Sequence, residues 1–226
     1  MNQKNSTQLL SRYLSEYIGT ALLLAVVTGS GIMGETLGQG NAAIALLGNS
    51  IATGAGLYVL ITLLAPISGA HFNPAVSLIA WRLGGLNGQS LVGYLIAQVL
   101  GAISGVWLTH IMFNLPILEL STKPRAGLGI WVSELVSTLI LLIVIWLASK
   151  NSSEKAPMLV ALTVTAGYWF TSSTFFANPA VTIARSLSDT FVGINPADVI
   201  GFISAQLLAV AIMLILVAAF LKETKA

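Results

Sequence analysis

Asn73-Pro74-Ala75-Val76 recurs 105 positions later as Asn178-Pro179-Ala180-Val181, in a chain that is otherwise almost continuous apolar span. Each copy places Asn where a helix N-cap sits and Pro at the first helical position, where a missing N–H costs nothing. The apolar runs that follow, Ala75 to Leu83 and Ala180 to Leu187, are too short to cross a bilayer. Paired short, Pro-interrupted segments in corresponding positions point to two half-helices that meet at a central permeation site. One Asn-Pro reads equally well as a turn that starts a short helix. Two in symmetry-related places favour the pore.

The rest of the composition sets the medium. Of 226 residues, 56% are hydrophobic and only 8% charged, with a mean hydropathy of +0.88. That is too little charge for a soluble surface, so the chain reads as a polytopic membrane protein. Six stretches reach spanning length: 13–33, 43–65, 91–112, 128–149, 157–174 and 198–221. Glu16 inside the first, and no small-residue cleavage site after it, argue for an uncleaved span rather than a signal peptide. Six spans put both termini on one side. With the termini cytoplasmic, Lys4, Arg12, Arg82, Lys150, Lys155, Lys222 and Lys225 face in, and Lys123, Arg125 and Arg185 face out. That split obeys the positive-inside rule, so the basic pI of 9.0 reports membrane orientation rather than nucleic-acid binding. The sequons at Asn5 and Asn151 then fall on the cytoplasmic side and stay unmodified. With no cysteine and two histidines, there is no disulfide, thiol switch or metal-site pattern, and no cofactor is expected.

The repeat extends beyond the tetrapeptide. Ser15-Glu16 opens span one and Ser133-Glu134 opens span four; Ala97-Gln98 in span three is echoed by Ala205-Gln206 in span six. Each half reads as a span with Glu, a span, an Asn-Pro-Ala half-helix, and a span with Gln. Three spans is an odd number, so the second copy sits inverted relative to the first. The expectation is a single all-α transmembrane domain over 1–226, with halves 1–113 and 128–226 joined by the loop 114–127. Six transmembrane helices and two re-entrant half-helices make it up. Gly93, Gly101 and Gly105 recur at helical spacing, which lets helices approach closely.

Two half-helix N-termini aimed at one point concentrate roughly half a positive charge each there. Asn73 and Asn178 cap those ends with side-chain oxygen and keep amide N–H groups to donate into the pore. Glu16 and Glu134 are carboxylates in apolar spans, expensive without partners. They read either as a proton relay or as braces for the loop backbone beside each half-helix. The duplication favours braces, with Gln98 and Gln206 doing similar work. His110, near a span end, reads as interfacial.

This pattern resembles the aquaporin, or major intrinsic protein, family along essentially the whole chain. The most specific pieces are Ser68-Gly69-Ala70-His71-Phe72-Asn73-Pro74-Ala75-Val76, the second Asn-Pro-Ala, and Glu16 and Glu134 with their neighbours. The resemblance implies a homotetramer with one pore per subunit. It also implies a ladder of backbone carbonyls toward the lumen from Gly69, Ala70, His71, Phe72, Phe175, Phe176 and Ala177. Non-helical backbone at membrane depth is tolerated where it lines a water-filled cavity. By the family's spacing the selectivity filter falls at Thr53, Ala166, Phe175 and Val181.

Val181 departs from the family pattern. Most aquaporins carry Arg directly after the second Asn-Pro-Ala, so this is an atypical member of bacterial type. With Thr53, Ala166 and Val181 as named, the expected filter is wide and mostly apolar, with Thr53 its one hydroxyl. Arg185, about 6 Å further along a helix and on much the same face, is expected either in the outer vestibule or snorkelling to the headgroups. Asp189 stands four residues beyond it, able to pair with it.

The reading is a passive channel in a bacterial inner membrane for water and small neutral solutes of glycerol or urea size, with arsenite or methylated arsenicals as candidates. A water-selective aquaporin is the alternative. An ion-coupled secondary transporter also uses inverted repeats and broken helices, but the inferred lumen offers no ionisable residue for coupling. No nucleophile–base pair, phosphate loop or metal cluster supports an enzyme.

Overall fold

In the computed structural model, residues 3–223 are described, with side chains described for 7–221. Lys225 and the side chains of Lys4, Asn5 and Lys222 lie outside the described residues. Eight α-helices follow in order: α1 (Gln3–Gly38), α2 (Ala42–Ser68), α3 (Pro74–Arg82), α4 (Gly88–Met112), α5 (Leu128–Asn151), α6 (Ala156–Phe170), α7 (Pro179–Arg185) and α8 (Val199–Glu223). Five of them (α1, α2, α4, α5 and α8) are long and apolar enough to cross a membrane. The fifth predicted span, 157–174, is shorter in the structure. Helix α6 has 15 residues and closes at Thr171, because the chain must leave the helix there to descend toward Asn178.

The helices pack with the internal symmetry the repeat requires. In the first half α1 packs on α2 and α4; in the second, α5 packs on α6 and α8. Helix α2 meets α6 across the halves, and the short helices α3 and α7 touch each other. Each short helix also seats against the third span of the opposite half, α3 on α8 and α7 on α4. The halves therefore interlock rather than sit side by side.

Small residues set the closest contact. A Cβ on Gly101 would stand 2.4 Å from the Tyr17 carbonyl oxygen, and one on Gly105 would stand 2.1 Å from that of Ala21. No larger residue lets α4 lie this close to α1. The polar residues of the spans turn inward: Thr20, Thr28, Ser50, Thr53, Thr109, Thr138 and Ser137 are all buried. Large apolar residues such as Leu10, Leu14, Ile18 and Leu22 on α1 face outward. A soluble protein shows the reverse, and lipid as the surrounding solvent explains it.

His110 is not interfacial. It is fully buried, with Nδ1 2.6 Å from the Pro116 carbonyl oxygen and Nε2 2.8 Å from Ser188 Oγ. It ties the end of α4 to the 114–127 loop and to the segment after α7. That loop is pinned again where Ser121 N–H donates to the Ser186 carbonyl and Asn195 N–H to that of Lys123.

Candidate functional site

The centre of the site is a pair of reciprocal bonds between the two halves. Asn73 Oδ1 accepts from Ala75 N–H at 2.8 Å; Asn178 Oδ1 accepts from Ala180 and Val181 N–H at 3.0 and 3.3 Å. Each Asn thereby caps its own half-helix. Each amide nitrogen then donates across the molecule: Asn73 Nδ2 to the Ala177 carbonyl at 2.7 Å, and Asn178 Nδ2 to the Phe72 carbonyl at 2.8 Å. The sequence predicts amides free for the pore. Instead one N–H of each is spent on the opposing loop, which leaves one N–H per Asn for a solute. Two carbonyls of the expected ladder, those of Phe72 and Ala177, are already engaged in this exchange.

The loops that lead into the half-helices carry the backbone strain. Ala70, Phe72, Thr174, Phe175 and Ala177 all have φ between 48° and 60°. They are five of the seven non-glycine residues of positive φ among the described residues. A left-handed residue costs on the order of 1 kcal/mol or more. The pattern is symmetric, since Ala70 and Phe72 match Phe175 and Ala177 one repeat later.

The braces hold this backbone, unequally. Glu16, fully buried, accepts four hydrogen bonds. Ser68 Oγ and His71 N–H donate to Oε1 at 2.7 and 2.9 Å, and Phe72 N–H and Gln98 Nε2 donate to Oε2 at 2.7 and 2.8 Å. Gln98 also donates to Ser77 Oγ at 2.9 Å. In the second half Glu134 Oε1 accepts from Ala177 N–H, while Oε2 has no partner among the described residues. Gln206 Nε2 donates to Thr182 Oγ1 at 2.9 Å. Both carboxylates sit behind the loops rather than in the cavity lining, the geometry of a brace.

An elongated cavity of about 520 Å³ runs past all of this. Its wall includes Gly69, Ala70, His71, Phe72, Phe176 and Ala177 of the expected ladder, together with Asn73 and Asn178. Pro74, Ala75, Pro179 and Ala180 are buried behind it. The His71 ring also reaches the wall, with Nδ1 3.0 Å from Ser77 Oγ.

Of the four filter positions, three line the cavity: Thr53, Phe175 and Val181. Ala166 does not. It is exposed on the outer face of α6, and the cavity-facing row on that helix is Val160, Val164 and Tyr168. At 3.6 residues per turn, a residue two before Tyr168 points away from the row. The spacing of twelve residues before the second Asn therefore lands on the wrong face of α6. Tyr168 takes the position. Its hydroxyl lies 3.2 Å from Thr53 Oγ1, so this part of the cavity wall carries two hydroxyls and a large ring rather than the single hydroxyl expected. The spacing of polar residues along α6 held that signal, since Tyr168 is its one buried aromatic.

Arg185 is not at the headgroups. It is the last residue of α7, 2% exposed, and lines the cavity. Its Nε donates to the Val192 carbonyl at 2.5 Å, and its guanidinium carbon lies 3.4 Å from the Phe176 ring centroid. Asp189 does not pair with it. That carboxylate accepts instead from the Thr122 N–H and hydroxyl at 2.9 and 3.0 Å. The Thr122 N–H bond holds its pKa below the usual Asp range.

A bundle of spans with two half-helices capped nose to nose beside a long cavity is the architecture of a membrane channel. The sequence comparisons agree. A family model described as "Major intrinsic protein" matches residues 3–174. "Aquaglyceroporin AqpS" of Rhizobium meliloti is 51% identical over 88% of this chain and 85% of its own length. The "Glycerol uptake facilitator protein" of Pseudomonas aeruginosa is 30% identical over 83% of this chain and 77% of its own. The crystal structure titled for the aquaglyceroporin from Plasmodium falciparum superposes with a TM-score of 0.71 over 91% of this chain and 92% of that one, at 23% identity. The chain belongs to the major intrinsic protein family.

Proposed function

We propose that the protein is a passive channel for water and small uncharged solutes of glycerol and urea size. The observation that supports this most is Val181: the residue after the second Asn-Pro-Ala lines the cavity with an isopropyl group instead of a guanidinium. Thr53 and Tyr168 bring the hydroxyls that a polyol needs to the cavity wall, and Phe175, Val181 and Val164 bring apolar surface to it. Relatives named as an aquaglyceroporin and a glycerol facilitator support the same size class. Arsenite, an uncharged trihydroxide at neutral pH, presents hydroxyls much as glycerol does and belongs in the same set.

Bacterial relatives and the seven-to-three distribution of cations support a bacterial plasma membrane with cytoplasmic termini. The outward stripe of Leu10, Leu14, Ile18 and Leu22 on α1 is suited to lipid or to neighbours in a homotetramer. The test is glycerol influx into proteoliposomes by light scattering. A channel gives a rate that rises linearly with the gradient and ignores proton and sodium ionophores. Saturating flux that collapses with a proton or sodium gradient identifies a coupled transporter instead.

A further inference from the structure

Removal of the guanidinium from position 181 leaves a channel with one barrier to cations fewer, yet a buried, fixed cation stands one helical turn away. Arg185 is four residues after Val181 on α7, about 6 Å along the axis and about 40° around it. Both side chains line the same cavity. Two contacts hold Arg185 in place: Nε on the Val192 carbonyl, and the guanidinium flat against Phe176. With Nε used, the Nη groups make no hydrogen bond and no ion pair among the described residues; the one ion pair there is Lys123–Glu35. Of the nearby carboxylates, Asp189 is held by Thr122, while Glu134, whose Oε1 accepts from the Ala177 N–H, attracts the guanidinium from a distance without forming an ion pair with it. A second guanidinium, that of Arg125, lies 5.2 Å from the centroid of the same Phe176 ring and donates Nε to the Gly193 carbonyl. It adds positive potential and subtracts none.

We propose that Arg185 is the cation barrier and a specificity-determining residue of this channel, doing at the wider end of the filter what an arginine at 181 would do at its neck. The inference rests on the channel reading above. Because the charge is set back by a turn, the Val181 neck stays open to glycerol-sized solutes while the free Nη groups offer hydrogen bonds to their oxygens. Protons and alkali cations meet a positive charge that no ion pair among the described residues neutralises, in a site where water does not fully screen it. For a path about 8 Å from the guanidinium at an effective dielectric of about 20, the barrier corresponds to about thirtyfold in cation rate.

The experiment uses the full chain in proteoliposomes loaded with a pH-sensitive dye, reading proton influx and glycerol influx on the same vesicles. Arg185→Gln removes the charge and keeps a donor for the Val192 carbonyl; Arg185→Leu removes both. The wild type is expected to pass glycerol and to be as proton-tight as empty vesicles. Arg185→Gln is expected to leak protons about thirtyfold faster while glycerol flux stays above that of empty vesicles, which reports an assembled pore. The double variant Val181→Arg/Arg185→Gln returns the charge one turn back and is expected to restore tightness, a rescue that a purely structural role for Arg185 does not produce. Arg185→Gln and Arg185→Leu that pass glycerol and remain proton-tight overturn the proposal. So does a double variant as leaky as the single one. A wild type that passes no solute refutes the channel reading itself, which is a separate result.

Discussion

The repeat makes Glu16 and Glu134 equivalent in sequence, and the structure makes them unequal. Replacing Glu16 by Gln puts an N–H₂ group where an oxygen now accepts. If the amide takes the Oε2 position, the Phe72 N–H, buried at the start of the half-helix, loses its acceptor. If it takes the Oε1 position, the His71 N–H does. A buried donor left unsatisfied costs about 1–3 kcal/mol, and the bonds that survive lose the charge that made them strong, about 1 kcal/mol more. Glu16→Gln is therefore expected to cost about 3 kcal/mol. For Glu134→Gln the carbonyl oxygen keeps the Ala177 N–H, and the amide occupies the place of an Oε2 that has no partner. That change costs about 1 kcal/mol or less. At about 2–4 °C per kcal/mol for a chain of this size, Glu16→Gln lowers the melting temperature in detergent by roughly 9 °C and Glu134→Gln by no more than about 3 °C. Tryptophan fluorescence against temperature on both variants reads the difference. Equal losses, or a larger one for Glu134→Gln, refute the reasoning from the hydrogen bonds.

Other consequences follow from the same geometry. Ala166→His adds a ring on the outer face of α6 and is expected to leave glycerol flux within about twofold, whereas Tyr168→Ala removes the filter ring and raises flux of solutes larger than glycerol; vesicle swelling with a polyol series reads both. Gly105→Val forces side-chain atoms onto the Ala21 carbonyl, where even a Cβ would lie 2.1 Å away. It is expected to cost well over about 3 kcal/mol and to abolish a folded, detergent-soluble peak in size-exclusion chromatography. The protein has no cysteine, so mercurials at concentrations that modify thiols are expected to leave water flux unchanged; block that a thiol reverses contradicts this.

Much of the fold was legible because the bilayer restricts what a backbone can do. Span length, the odd number of spans per half and the duplicated Asn-Pro-Ala leave little freedom, and the caps at Asn73 and Asn178 follow from the same residues. The Glu braces were legible as a repeated expense in an apolar span. Three things were not legible. The exchange of bonds between each Asn amide and the opposite loop is a contact between halves more than 100 residues apart, and local pattern carries no record of it. Ala166 was misplaced because spacing from a motif does not say which face of α6 a residue takes, and two residues short of Tyr168 is the opposite face. His110 looks like an interfacial residue in sequence because it lies at a helix end; its tertiary partners Ser188 and Pro116 bury it instead. For Arg185 the sequence leaves vestibule and headgroups both open, and only the contacts with Val192 and Phe176 show it on the cavity wall.

The central claim is that Val181 sits at the narrow point and sets the size of what passes. Stopped-flow light scattering on proteoliposomes tests it, comparing wild type with Val181→Arg for water, glycerol, urea and arsenite. The account predicts that wild type passes all four, and that Val181→Arg lowers glycerol, urea and arsenite flux by at least about tenfold, equivalent to about 1.4 kcal/mol of barrier, while water flux falls less. A wild type that passes water alone, with no change on Val181→Arg, contradicts it and places the constriction elsewhere.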